Sequence, residues 1–180
     1  APAAWRRAAT AMSISGTSPR NGPPNDVRTL ASAASTRCSS CVESALTQVD
    51  PQVPFAIVAV GRFAGGELSY GSDLDVLFVH DVRAGADDRA RLVDHDEGLR
   101  VAGGVLRFLA GSTPAHRIYA IDATLRPEGR QGALARSLDG YEAYLDRWAE
   151  TWERQALARA RPVAGGGRAR HRWPAGGAHP

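Results

Sequence analysis

Residues 60–80 read VGRFAGGELSYGSDLDVLFVH, and the fold turns on how this stretch is understood. It grows out of the apolar, β-branched run Phe55 to Val60, whose length suits a buried strand and which stops at Gly61. A polar, glycine-containing segment then runs to Gly71, with room for a helical turn, before Leu74, Val76, Leu77, Phe78 and Val79 form a second apolar run closed by His80 and Asp81. Asp73 and Asp75 flank Leu74, so on a strand both carboxylates project from one face a few ångströms apart. Two like charges that close are costly unless a cation lies between them. Mg²⁺ suits the place, because it takes oxygen ligands and bridges carboxylates to substrate phosphates. The glycines Gly61, Gly65 and Gly66 let backbone approach phosphate oxygens without a Cβ in the way, and Ser72 adds a hydroxyl.

Downstream, Leu92, Val93, Leu99, Val101, Val105, Leu106, Phe108 and Leu109 recur at mostly three- and four-residue intervals with charges between, which predicts a helix over 87–110. A third strand is expected within Arg117 to Leu125. It would carry Asp122 beside the first acidic pair and complete a two-metal carboxylate set. The remaining acids Asp81, Asp87, Asp88, Asp94, Asp96 and Glu97 read as solvated. From Leu138 to Arg161 a long amphipathic helix is expected to bury a stripe of Tyr141, Tyr144, Leu145, Trp148, Trp152 and Leu157.

Upstream, residues 16–26 hold three prolines and two glycines and read as a linker within a poorly defined region 1–50, where a helix is expected only near 40–49. Residues 51–135 are expected to form the domain that carries the acidic cluster, 136–164 the start of a helical domain, and 165–180 a disordered tail with little to bury. Strands and helices in this order give an α+β fold with a small mixed sheet.

All 22 basic residues are arginine. The absence of lysine excludes a P-loop and a Schiff base, both of which need an ammonium at a fixed place. A formal net charge of +3, with arginines spread along the chain, argues against a nucleic-acid partner. No apolar run is long enough to span a bilayer and no secretory leader is evident, so a cytoplasmic location is expected. Cys38 and Cys41 have a spacing that begins zinc sites, but no second ligand pair follows, and they read as two ordinary thiols.

Residues 60–80 resemble the signature of the bacterial glutamine synthetase adenylyltransferases, members of the DNA polymerase β-like nucleotidyltransferase superfamily. The segments IDATLRPEGRQG at 121–132 and WAETWERQALARARP at 148–162 resemble the same family, so the likeness covers roughly residues 53–164. It implies Mg²⁺ as cofactor and ATP as substrate. Asp73, Asp75 and Asp122 would act as metal-holding catalytic residues, with Gly61, Arg62, Gly65, Gly66, Ser72, Arg126 and Arg130 around the nucleotide, the two last arginines gripping departing phosphates bidentately. The family attaches AMP to a tyrosine of glutamine synthetase with one domain and removes it by phosphorolysis with a second. The wording TWERQAL is closer to the attaching domain. Glutamine synthetase is the implied partner, and the PII signalling protein a further one through regions outside this chain. Arg62 departs from the Gly-Ser or Gly-Gly usual in the superfamily. The family enzyme is several times longer, so a fragment is expected, with the removing domain or an inactive truncated remnant as the alternatives.

Overall fold

The computed structural model describes residues 27–69, 71–111 and 119–166; the 16–26 linker and nearly all of the 165–180 tail lie outside them. In chain order the elements are α1 (Val27–Val49), β1 (Phe55–Ala59), α2 (Gly61–Gly65), β2 (Leu74–His80), α3 (Asp88–Ala110), β3 (Ile121–Asp122), a 3₁₀ turn (Gly129–Gln131), β4 (Ala135–Ser137), α4 (Leu138–Arg147), α5 (Thr151–Leu157) and β5 (Arg161–Gly165). The sheet is mixed. β1 pairs antiparallel with β2 on one side and with β5 on the other, while β3 and β4 both lie parallel to β2 along its far edge. β3 takes the first residues of β2 and β4 the last, so one strand is served by two short neighbours in succession.

Both faces of the sheet are covered, which is why β1 and β2 read as continuous apolar runs instead of alternating. Phe55, Ile57, Ala59, Leu74, Val76 and Phe78 pack beneath α1 and α3 with Cys38, Val42, Leu46, Val101 and Val105. On the opposite face Ala56, Val58, Leu77 and Val79 meet Leu138 and Tyr141 of α4 and Leu157 of α5.

Helix α1 begins well before the expected 40–49. Its serines and threonines bond back to the carbonyl four residues earlier, as Ser35 does to Ala31 at 3.0 Å and Ser39 to Ser35 at 3.0 Å, so polar side chains are accommodated along the helix. The buried residues Cys38, Val42, Ala45 and Leu46 carry the helical period. Cys38 is therefore a core residue, not a thiol in a weakly structured region.

The expected helix 138–161 is broken in two. Glu150 accepts from the third backbone N–H of α5 while Glu153 bonds the Glu150 N–H at 2.8 Å, and this capping box starts a new helix at Thr151. The turn swings the aromatic stripe out of register: Tyr141 is buried, but Trp148 is 73% exposed and Trp152 54%. After α5 the chain returns as β5, with Pro162 tolerated because this strand lies at the sheet edge. Gly165, expected in the tail, closes that strand.

Candidate active site

The site forms where β1 ends and β2 begins. Val60 donates its N–H to the Asp75 carbonyl at 3.0 Å, and the chain turns at once into α2. Gly61 has φ +55°, a backbone conformation that suits glycine, and a Cβ there would come within 2.8 Å of Asp75 Oδ2. Only glycine lets this turn lie so near the carboxylate. Asp75 points to the same face as Leu77 and Val79 and stands in register with Asp122 across the parallel β2/β3 pair. Asp73, just before β2, is exposed on the rim.

Burial pushes the Asp75 carboxyl above its ordinary range; the charges of Asp122 and Asp73 push the same way, and Arg62 opposes them. Asp122 goes the other way. A side-chain bond from Thr124 lowers it, helped by the Thr124 N–H at 2.7 Å to Oδ1 and by the charges of Arg130 and Arg126, against burial. The structure thus brings together Gly61, Arg62, Asp73, Asp75 and Asp122, with Arg130 in electrostatic reach.

Other expected site residues are otherwise engaged. Ser72 Oγ shares a 2.8 Å hydrogen bond with Ser69 Oγ and accepts the Ser69 N–H at 3.1 Å. Gly65 lies at the far end of α2 beneath the Arg159 side chain, and Gly66 caps that turn in the left-handed conformation. Arg126 gives three of its donors to the carbonyls of Ala123 (2.6 Å), Gly132 (3.0 Å) and Arg130 (3.0 Å), tying up the loop between β3 and β4. Two acids expected to be solvated are not. Asp94 is fully buried and accepts from the Arg83 backbone N–H at 3.0 Å and its Nε at 2.8 Å, while Asp81 is 3% exposed. Arg161 was not singled out in the sequence, although its place directly before Pro162 in the third motif is a usable signal.

Among the described residues no three His, Cys, Asp or Glu side chains converge into a ready-made metal cage. The donor set nonetheless fits Mg²⁺, which is commonly held by one or two carboxylates together with substrate phosphates and water. Asp75 and Asp122 supply two carboxylates in register, and a cation between them would offset the repulsion that raises Asp75.

A small mixed sheet with carboxylates paired at the start of its central strand, next to a glycine-initiated turn, is an α+β fold of nucleotidyltransferase type. A family model for glutamate-ammonia ligase adenylyltransferase matches residues 27–173, and the chain belongs to that family. The match takes in α1 from its first residue. Proteins named bifunctional glutamine synthetase adenylyltransferase/adenylyl-removing enzyme from Streptomyces avermitilis and Nocardia farcinica are each 46% identical, over 61% and 68% of this chain. One of the same name from Streptomyces coelicolor is 38% identical over 76%. The chain spans 11% to 14% of the length of these relatives.

Proposed function

We propose that this chain is the catalytic part of a Mg²⁺-dependent nucleotidyltransferase that moves AMP from ATP to a tyrosine hydroxyl of glutamine synthetase. The observation that carries the reading is the in-register pairing of Asp75 with Asp122 beside Gly61, in a chain of this family. Asp75 and Asp122 would hold the metal, with Asp73 at the rim. Bound there, Mg²⁺ supplies positive charge against the phosphates. The exposed side chains of Arg62 and Arg130 are free to reach phosphate oxygens, whereas Arg126 shapes the loop that carries Arg130. Asp122, kept ionised, accepts a hydrogen bond from the incoming hydroxyl and so orients it. The tyrosine oxygen bonds to the α-phosphorus as the bond to pyrophosphate breaks, and the phenolic proton passes by way of Asp122 to water.

Attachment is favoured over phosphorolytic removal by the wording of residues 151–157. The division into a catalytic unit at 51–135 and a helical one from 136, the cytoplasmic setting and the PII contact belong to the same proposal. Among the described residues no helix is long and apolar enough to cross a membrane.

The test is transfer of label from α-labelled ATP to glutamine synthetase in Mg²⁺, with Asp75→Asn alongside. The variant should lose about a hundredfold or more in rate, as expected when a transition-state electrostatic contact is removed. Equal labelling by both proteins would refute the assignment of Asp75. Release of AMP from pre-labelled glutamine synthetase on adding phosphate, without attachment, would reverse the direction.

A further inference from the structure

Helix α2 is five residues long, too short to hold its shape by itself, yet its first residue sets the approach of backbone to Asp75. Its other end is closed by the Gly66 and Glu67 N–H groups and is also tied to the far end of the chain. Arg161, paired with Ala59 in the β1/β5 ladder, sends its guanidinium past the end of β1, where Nε donates to the Ala64 carbonyl at 2.7 Å and Nη2 to the Phe63 carbonyl at 3.3 Å. The Phe63 carbonyl also takes the Gly66 N–H at 3.3 Å, and Arg161 adds a charged donor to it and to the Ala64 carbonyl, where a cation also opposes the negative end of the helix dipole. Among the described residues no carboxylate pairs with Arg161; burial alone pushes its pKa down. A half-buried guanidinium satisfied by two carbonyls is costly to place, and among the described residues both of its side-chain hydrogen bonds go to this turn. Two residues earlier Arg159 ties the outside of the same turn, with Nη2 2.7 Å from Glu67 Oε1 and its guanidinium lying against Gly65.

We infer that Arg161 is a positioning residue for the nucleotide: by fastening the C-terminal end of α2 to β5, it fixes where Gly61 and Arg62 stand relative to Asp75. The inference rests on the proposed AMP transfer. The nearly exposed Arg159–Glu67 pair is an outer brace that contributes little alone.

The experiment measures steady-state transfer from ATP to glutamine synthetase, Mg·ATP affinity by calorimetry, and thermal melts, for the full chain and for Arg161→Met, Arg161→Lys and Arg159→Gln. Arg161→Met should raise KM for ATP and the Mg·ATP Kd by about tenfold, the scale of a lost charge-assisted hydrogen bond, with KM for glutamine synthetase unchanged. Arg161→Lys, which keeps one charged donor, should recover part of that loss, and Arg159→Gln should stay within about twofold of the unsubstituted chain. Melting should show every variant folded at the assay temperature. Should Arg161→Met not be folded there, the comparison rests on Arg161→Lys, expected between the unsubstituted chain and a tenfold loss. Active variants with unchanged ATP constants, or with both KM values shifted alike, would overturn the positioning role. An unsubstituted chain that neither transfers AMP nor binds Mg·ATP would instead overturn the reading beneath it.

Discussion

The Asp75 carboxylate sits where its own charge is disfavoured, partly buried and facing Asp122 and Asp73. Because its folded-state pKa lies above the unfolded value, stability is greater at low pH and is lost as pH rises through the folded value. Burial first, and then the charges of Asp122 and Asp73, disfavour the ionised form, so Asp75→Asn should raise the melting temperature in metal-free buffer while abolishing transfer. A melt showing a clear drop would mean that the carboxylate is held by partners, not repelled by neighbours. Mg²⁺ with ATP should raise the melting temperature of the unsubstituted chain and leave the variant nearly unmoved, since a ligand stabilises only the state that binds it. Gly61→Ala tests the same contact from the other side. The new methyl must displace the carboxylate and adopt a left-handed backbone, at a cost of about 1–3 kcal/mol, and activity should fall even where the protein remains folded. The place of Asp75 was legible because the apolar run that follows marks β2, whereas Asp73, expected to alternate with it on that strand, lies just before it and is exposed. Asp122 followed once a neighbouring strand was assumed. The task of Arg126 was not legible, because nothing in IDATLRPEGRQG says that a guanidinium will meet three carbonyls of its own loop.

Elements with one dominant period were readable: β1, β2 and α3 fall within a residue or two of where apolar spacing places them. Those decided by a local competition were not. The capping box at Glu150 outweighs a helical pattern that continues through it, and β5, with Pro162 and few apolar residues, is a strand only because β1 offers an edge. Two consequences can be checked by melting. Trp148→Ser and Trp152→Ser, both at exposed positions, should each change stability by no more than about 0.5 kcal/mol, whereas Tyr141→Ala should cost about 3–5 kcal/mol. Comparable losses at all three would restore the continuous buried stripe. Gly165→Ala should be destabilising despite its small size, because φ is +88° and the added methyl would run into the Phe55 carbonyl across the β1/β5 pair. It separates a structural β5 from a loose tail, which would accept the change.

Across the whole molecule, β2 joins two titrating regions, with Asp75 near one end and His80 at the other. His80 is 1% exposed, its Nε2 is 3.2 Å from His95 Nδ1, and Gly98 of α3 is packed against its ring so closely that a Cβ would come within 2.7 Å. Burial lowers its pKa, and the charge of His95 adds to this; the Asp81 backbone bond and the charges of Asp94 and Asp81 pull weakly the other way. Asp94 is itself committed to Arg83, whose bonds and charge outweigh burial and hold its carboxyl below the ordinary range, so its contribution is lost only in stronger acid. The sign for His80 follows from linkage. With the folded pKa below the unfolded one, the unfolded chain takes up the proton first as pH falls, so stability declines from about pH 6.5, the ordinary histidine value, down to the folded value. Melting temperatures taken from about pH 7.5 to about 5.5 should therefore fall across that window. In His80→Leu, which fills the site with an apolar side chain and cannot bind a proton, the slope should flatten. Parallel slopes in the two proteins would place the acid sensitivity elsewhere, whereas a flattened slope with retained AMP transfer at neutral pH would show that the two ends of β2 serve separate purposes, one for stability and one for chemistry.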